Sequence, residues 1–172
     1  FAAEEIVVQT GKHAKTKYKP DRKPASRLWF SEIESRRWIT HVYTGPVQSG
    51  KSLDAFVIPI LWCLFEKEEN VIVGLPDMGL SSAKWLEELK PMIEASRYAD
   101  LLPTSGQGSR GGDVEEVRFK NGTSLIFMSF GGSDKARAAR TAQNLIVTET
   151  DGANEVSERS DEGTKIDQLI GR

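Results

Sequence analysis

Cysteine is almost absent from this 172-residue chain, in which Cys63 is the only one. A single thiol excludes a framework of internal disulfides. The apolar residues at 61–65 predict that this thiol is buried, as in proteins of reducing compartments. Long apolar runs are lacking as well, since no stretch approaches the roughly 18 consecutive apolar residues that a membrane span needs. We therefore expect no membrane partner.

Charge of one sign is not in excess overall, because the net charge is −2, but it is unevenly distributed. Residues 11–37 carry nine Lys or Arg and three acids, whereas residues 149–172 carry seven acids and three bases with few apolar side chains. The basic stretch could contact phosphates or be a solvated arm. The length suits one α/β domain. We expect a basic arm over 1–38 and the domain over 39–172.

The first half of the domain alternates predicted strands and helices. The pattern "ITHVYT" (39–44) predicts a short strand that enters a loop at Gly45-Pro46. The largely apolar run 51–69 predicts a buried helix from Lys51, which Pro59 should kink or shorten. The run "NVIVGLP" (70–76) predicts a buried strand.

A second helix is predicted over 81–98, with Ser81 or Ser82 as its N-cap and an interruption at Pro91. Its apolar side chains are expected on one stripe, namely Trp85, Leu86, Leu89, Met92 and Ile93.

The second half of the domain has a different pattern. The glycine-rich segment 104–112 is expected to be the most mobile loop. Asn121-Gly122 lies between two strand-like runs and predicts an antiparallel hairpin, since type I′ turns need positive φ at both central residues. The run 145–147 suits a strand buried on both faces. We expect an α/β fold of the P-loop class, with a mainly parallel sheet, helices on both faces and an added hairpin.

The loop between the first predicted strand and helix matches the pattern G-x-x-x-x-G-K-[ST]. In such a loop the backbone N–H groups surround phosphate oxygens, Lys51 neutralises the charge of the β and γ phosphates, and the hydroxyl of Ser52 ligates Mg²⁺. The alternative is a strand-to-helix turn with an accidental Lys-Ser pair. The residues expected to bind the cofactors ATP and Mg²⁺ are Gly45, Pro46, Val47, Gln48, Ser49, Gly50, Lys51 and Ser52.

Two acids follow the last predicted strand, where ligands collect in open α/β sheets. Glu149 is expected to orient a water for attack on the γ-phosphoryl group, and Ser52, Glu149 and Asp151 are candidate metal ligands. The alternative is a solvated strand end. Arg140, with Arg137 nearby, could stabilise transferred charge, contact a nucleic-acid backbone or lie on a solvated helix.

The order of these motifs resembles the lambda-type large terminase subunits, ATPases that pump double-stranded DNA into phage procapsids. The lead-in "YKPDRKPASRLWFSEIESRRWITHVYTGPVQSGKS" is similar to the family's approach to its Walker A loop, including Gln48 before the second glycine. "VIVGLP" and the hairpin "VRFKNGTSLIFMSF" are similar to later elements. "GGSDKARAARTAQNLIVTETDGAN" resembles the family's serine and arginine segment before Walker B.

The resemblance covers residues 18–155 and implies a DNA-translocating ATPase that works in the host cytoplasm. It implies double-stranded DNA, a small terminase subunit and the portal as partners, and a homo-oligomeric ring. Thr148 stands where the family has its Walker B Asp, with Glu149 and Asp151 matching the next acids. The family's coupling segment and nuclease domain have no counterpart here, so we expect an incomplete ATPase domain.

Two other functions remain open at the level of sequence. A helicase-like or other nucleic-acid translocating ATPase would share the early motifs. A nucleotide-binding module without turnover would follow if Thr148 marks a lapsed metal site.

Overall fold

The fold is described from a computed structural model. It covers residues 1–46, 48–109, 114–129 and 142–149. Three of the predicted site residues, Val47, Arg140 and Asp151, lie outside the described residues, as do positions 110–112 of the glycine-rich segment.

A four-stranded sheet forms the centre of the described chain. Its strands are β1 (Val71–Leu75), β2 (Glu116–Arg118), β3 (Ser124–Ser129) and β4 (Asn144–Val147). They lie in the order β2-β3-β1-β4, with β1 parallel to both β3 and β4, and β2 antiparallel to β3. The predicted mainly parallel sheet with a hairpin addition is therefore confirmed.

Helices flank the sheet. The α-helices are α1 (Ala2–Glu5), α2 (Pro24–Ser35), α3 (Ile58–Phe65), α4 (Gly79–Ala83) and α5 (Lys90–Glu94). Two π-helical segments, Ser52–Val57 and Lys84–Leu89, run directly into α3 and α5, and 3₁₀ turns cover Pro20–Arg22 and Ala99–Leu101. Within the described ranges, none of these helices is both long and apolar enough to cross a bilayer.

The core lies between the helices and the sheet. It includes fully buried side chains of β1, the two long helical runs and the hairpin, among them Ile60, Leu64, Val71, Val73, Trp85, Leu89, Ile93 and Leu125. Ile6 and Tyr18 are buried in the same cluster, so the basic N-terminal segment packs against the domain. Cys63 is 5% exposed, which confirms the predicted buried thiol, and burial raises its pKa to about 11.

The helix predicted from Lys51 is confirmed, and Pro59 does not end it. Pro59 and Pro91 each lie two residues after a π-helical segment, and in both places the helix continues. Proline has no N–H and its ring collides with the carbonyl four residues earlier in an α-helix. The wider π spacing before each proline accommodates the ring. The expected shortening at Pro59 and interruption at Pro91 were therefore wrong, and a kink at Pro59 stays a prediction.

The start and buried face of the second long helical run differ in part from expectation. It begins at Gly79 rather than at a serine N-cap, and Asp77 Oδ1 accepts a hydrogen bond from the Gly79 N–H at 2.8 Å. The Ser81 hydroxyl instead donates to the Met78 carbonyl. Four residues of the predicted stripe are buried, but Leu86 is exposed, because the π segment changes the period on which the stripe was based.

The hairpin around Asn121-Gly122 is confirmed, with a different turn from the one expected. Gly122 N–H donates to the Phe119 carbonyl, and Phe119 N–H donates to the Thr123 carbonyl. Positive φ occurs at Gly122, at 90°, and not at Asn121. The connection is therefore a turn centred on Lys120 and Asn121, followed by a left-handed glycine, which is the usual three-residue hairpin.

The strand predicted over 39–44 is wrong. Among the described strands neither end of the sheet pairs with this segment, and Ile39 is fully exposed. The segment packs through aromatic rings instead: Trp29 of α2 meets His41 and Tyr43 edge-on, with ring centroids 5.8 and 4.8 Å apart. Alternation of side chains does not create a strand unless a partner strand is available.

The predicted strand at 145–147 is confirmed as part of β4, but it is half-buried rather than covered on both faces. It is an end strand of the sheet formed by the described residues. Burial on both faces requires elements on each side of the strand, which the sequence run cannot guarantee.

Candidate phosphate-binding site

The loop before the helical run that begins at Lys51 contains two left-handed residues, which suit an anion-binding turn. Gln48 and Gly50 both have left-handed backbones, with φ of 58° and 82°. Alternation of left-handed and right-handed residues turns successive N–H groups toward one side of a loop, where they can bind an anion. The helical run begins at Lys51, so its unpaired N–H groups face the same region.

The side chain of Lys51 folds back onto the loop that precedes it and binds carbonyl groups at the start of that loop. Its ammonium group donates to the carbonyl of Gly45 at 2.5 Å and to that of Pro46 at 3.1 Å. Asp54 N–H donates to the Gly50 carbonyl at 3.1 Å, which continues the helix from the loop. The lysine charge is thereby held within the loop.

Two hydroxyl groups flank this lysine. Ser52 is exposed at the start of the helix. The Ser49 hydroxyl oxygen is buried and has no hydrogen-bond partner within the part of the chain that the structure describes. Buried hydroxyls are normally paired with protein, water or ligand. The loop therefore offers one exposed and one enclosed hydroxyl to a bound group.

Asp54, one turn after Lys51, is fully buried behind the loop. Its carboxylate accepts hydrogen bonds from Tyr18 Oη at 2.7 Å and Ser26 Oγ at 2.5 Å, and Tyr43 Oη lies 3.5 Å away. The ammonium of Lys23 is 3.6 Å from Oδ2. Burial and the adjacent carboxylate raise the pKa of Tyr18 well above its ordinary value, so the phenol remains a donor.

Lys23 also contacts the loop itself. Its ammonium donates to the Ser49 carbonyl at 3.0 Å, and a Cβ placed on Gly50 would collide with it. Sequence reasoning missed both Lys23 and Asp54. A lone acid in the apolar run 52–61 is a signal for a buried, paired carboxylate. Nothing local in the sequence indicates Lys23, because its contacts come from the docking of α2.

Glu149 follows β4 and pairs with Lys84 of the second long helical run. Its Oε1 lies 3.7 Å from the ammonium of Lys84, which also pairs with Glu88 at 2.8 Å. The same ammonium stands over the ring of Phe56, 5.3 Å from its centroid. Phe56 is one turn beyond Ser52, so Lys84 connects the end of β4 with the helix of the candidate loop.

The structure thus brings together part of the predicted site. One loop and helix start contains seven of the predicted residues: Gly45, Pro46, Gln48, Ser49, Gly50, Lys51 and Ser52. Glu149 is connected with that helix only indirectly, since it pairs with Lys84, whose ammonium lies over Phe56. Thr148 continues from β4, and its N–H donates to the Gly74 carbonyl. No cluster of three or more His, Cys, Asp or Glu suited to a metal occurs among the described positions. The predicted ligands Ser52 and Glu149 supply oxygen atoms, which is the donor type that Mg²⁺ prefers.

Comparison of the chain with protein-family models, with curated proteins and with solved structures found no match. A proposal about function must therefore come from the geometry of this loop and from the order of the motifs.

Proposed function

We propose that residues 45–52 bind the phosphates of ATP, in a P-loop ATPase fold. The observation that carries the proposal is the loop-to-helix junction, in which two left-handed residues and Lys51, bonded to the carbonyl of Gly45, precede a buried helix. Backbone N–H groups, one lysine and a helix N-terminus are the groups that bind a polyphosphate in such loops. The neighbouring Ser52 hydroxyl would hold Mg²⁺ together with acids after β4.

The chemistry proposed is attack of water on the γ-phosphoryl group. Lys51 neutralises charge on the β and γ phosphates, and the backbone N–H groups of the loop hold their oxygens in place. Glu149 orients the water, for which its carboxylate must turn from Lys84 toward the nucleotide. Mg²⁺, when bound, neutralises charge that develops on the phosphates.

We further propose that the chain contains the ATPase region of a DNA-packaging motor, the large terminase subunit of lambda-type phages, acting in the host cytoplasm. The order of the phosphate loop, β1, the hairpin and the strand with its acids supports this assignment. A motor of this kind grips double-stranded DNA through basic side chains, and Lys12, Lys15 and Lys19 are exposed on the N-terminal segment. Small terminase subunit, portal and a ring of identical subunits belong to the same proposal.

The first test is binding and hydrolysis of ATP with Mg²⁺ by the whole chain, with and without double-stranded DNA. Lys51→Ala is expected to lower ATP affinity by about a hundredfold, since it removes the charge within the loop. Glu149→Gln should retain binding and lose turnover by about a hundredfold or more. Glu68→Gln serves as the control, because Glu68 is exposed and distant in sequence from both groups. Normal ATP binding and turnover in Lys51→Ala would refute the proposal.

Thr148 favours a second candidate, a nucleotide-binding module without turnover. The family that the sequence resembles has an Asp at this position, and a threonine there offers Mg²⁺ a neutral hydroxyl oxygen in place of a charged carboxylate. Binding of ATP without hydrolysis, and a gain of hydrolysis in Thr148→Asp, would identify this function. Turnover in the unmodified chain would exclude it.

A further inference from the structure

Lys23 reaches the candidate loop from the start of α2, outside the motif that defines the loop. Its ammonium donates to the Ser49 carbonyl at 3.0 Å and lies against Gly50, where a Cβ would collide with it. The side chain is 39% exposed, so solvent or a ligand can reach it. An ammonium group has three N–H donors. Among the residues that the structure describes, its partners are the Ser49 carbonyl and the Asp54 carboxylate.

Asp54 makes a cation at this position necessary. A buried carboxylate one turn inside the helix opposes the binding of a polyphosphate at the N-terminus of that helix. Lys23 stands between the carboxylate, at 3.6 Å, and the loop. Tyr18 and Ser26 hold the carboxylate in place by hydrogen bonds. The carboxylate in turn holds the Lys23 ammonium near the loop.

We propose that Lys23 is a second phosphate-binding lysine of this site, which donates to the nucleotide phosphates together with Lys51. This inference rests on the proposed nucleotide-binding function. The two ammonium groups contact the loop through different carbonyls, Lys51 through Gly45 and Pro46 and Lys23 through Ser49. They therefore add positive charge at two points of one loop, which suits a ligand with several phosphates more than a monophosphate.

The test measures the affinity of the whole chain for ATP, ADP and AMP by titration calorimetry. Lys23→Met is expected to weaken ATP binding by about tenfold and AMP binding much less, since the lost donor serves a charged phosphate. Lys23→Gln, which keeps a donor to the Ser49 carbonyl without the charge, should behave similarly. Lys120→Met is the control, an exposed lysine in the hairpin turn that has no part in the proposed sites, and should leave the affinities for all three nucleotides unchanged.

Lys23 could act by donating to phosphate or only by neutralising the charge of Asp54. Repeating the Lys23→Met comparison in the Asp54→Asn variant separates these two roles. The tenfold effect of Lys23→Met on ATP should persist in that background if Lys23 donates to phosphate. Disappearance of the effect there, or an equal loss for ATP and AMP, would overturn the inference. If the unmodified chain and Lys23→Met bind ATP equally well while Lys51→Ala does not, the proposed role of Lys23 is refuted and the proposed function stands. If the unmodified chain binds no ATP, the proposed function fails as well.

Discussion

Asp54 shows how one residue connects the N-terminal segment with the candidate loop. It is fully buried, and its donors come from three parts of the chain: Tyr18, Ser26 of α2 and Tyr43 of the segment before the loop. Trp29 Nε1 also donates to the Asp54 carbonyl at 3.1 Å. A buried carboxylate is tolerated only when it is hydrogen-bonded or paired. These contacts therefore hold α2 against the helix that follows the loop.

Tyr18 and Tyr43 allow a matched comparison, because both present a phenol to the same carboxylate. Tyr18→Phe is expected to lower the free energy of unfolding by about 1–3 kcal/mol, since it removes a buried donor at 2.7 Å. The Tyr43 hydroxyl lies 3.5 Å from the carboxylate, and its side chain is half-buried. Tyr43→Phe should therefore change the free energy of unfolding by less than about 0.5 kcal/mol. Urea unfolding monitored by tryptophan fluorescence measures both. Equal losses would contradict this account of Asp54.

At the scale of elements, the described part of the glycine-rich segment is anchored rather than free. Trp85 Nε1 donates to the Gly108 carbonyl at 3.0 Å, and the Gln107 side-chain oxygen accepts from the N–H groups of Glu115 and Glu116. Gly108 is buried against Val117 of β2. These hydrogen bonds fix Gln107 and Gly108 against neighbouring residues, while the expected mobility of the segment stays a prediction.

Gly106 and Gly108 give a test of this packing, since both have positive φ, of 78° and 82°. A Cβ at Gly106 would meet nothing within 4 Å, whereas one at Gly108 would lie 2.8 Å from Val117 Cγ2. Gly106→Ala should lower the free energy of unfolding by about 1–2 kcal/mol, because alanine is strained in a left-handed backbone. Gly108→Ala should lower it by about 1–3 kcal/mol more than Gly106→Ala does, because its Cβ is also crowded by Val117. Thermal and urea unfolding measure the difference, and equal costs would show that residues 104–109 do not pack as described.

At the scale of the whole molecule, Glu69 connects α2 with the sheet. Its carboxylate forms a bidentate pair with Arg36, just after α2, at 2.9 Å for both bonds. It also accepts a hydrogen bond from the Asn144 side chain of β4 at 2.8 Å. The hydrogen bonds from Arg36 lower the pKa of Glu69, with a smaller contribution from Asn144. Because the pKa of Glu69 is lowered in the folded chain, its contacts contribute to the free energy of unfolding above the ordinary carboxyl pKa. This contribution is lost as pH falls through the lowered pKa.

Glu69→Gln should therefore lower the free energy of unfolding by about 1 kcal/mol at pH 7, where the pair is charged. The difference from the unmodified chain should shrink as pH falls through the lowered pKa of Glu69, because the carboxylate then becomes protonated. Glu68→Gln, at the adjacent exposed position, should show no difference at either pH. Urea unfolding at a series of pH values checks the trend. A constant difference across that range would show that charge does not carry the contribution.

The sequence by itself determined the features that depend on local pattern: the strands β1, β3 and β4, the helix from Lys51, the buried Cys63 and the hairpin at Asn121-Gly122. Apolar periodicity and turn residues act between near neighbours, so they can be read in order along the chain. The phosphate-binding role of the loop 45–52 stays a prediction, based on the identities of its glycines and lysine.

Tertiary structure alone decided the features that depend on distant partners. Residues 39–44 have a strand-like pattern but no partner strand in the described sheet, and their rings pack on Trp29 instead. Lys23 and Asp54 meet because α2 docks beside the loop. Glu149 meets Lys84 because two elements far apart in sequence approach each other. Charge pairing and strand pairing are contacts in space, and a local pattern carries no information on which distant residue provides them.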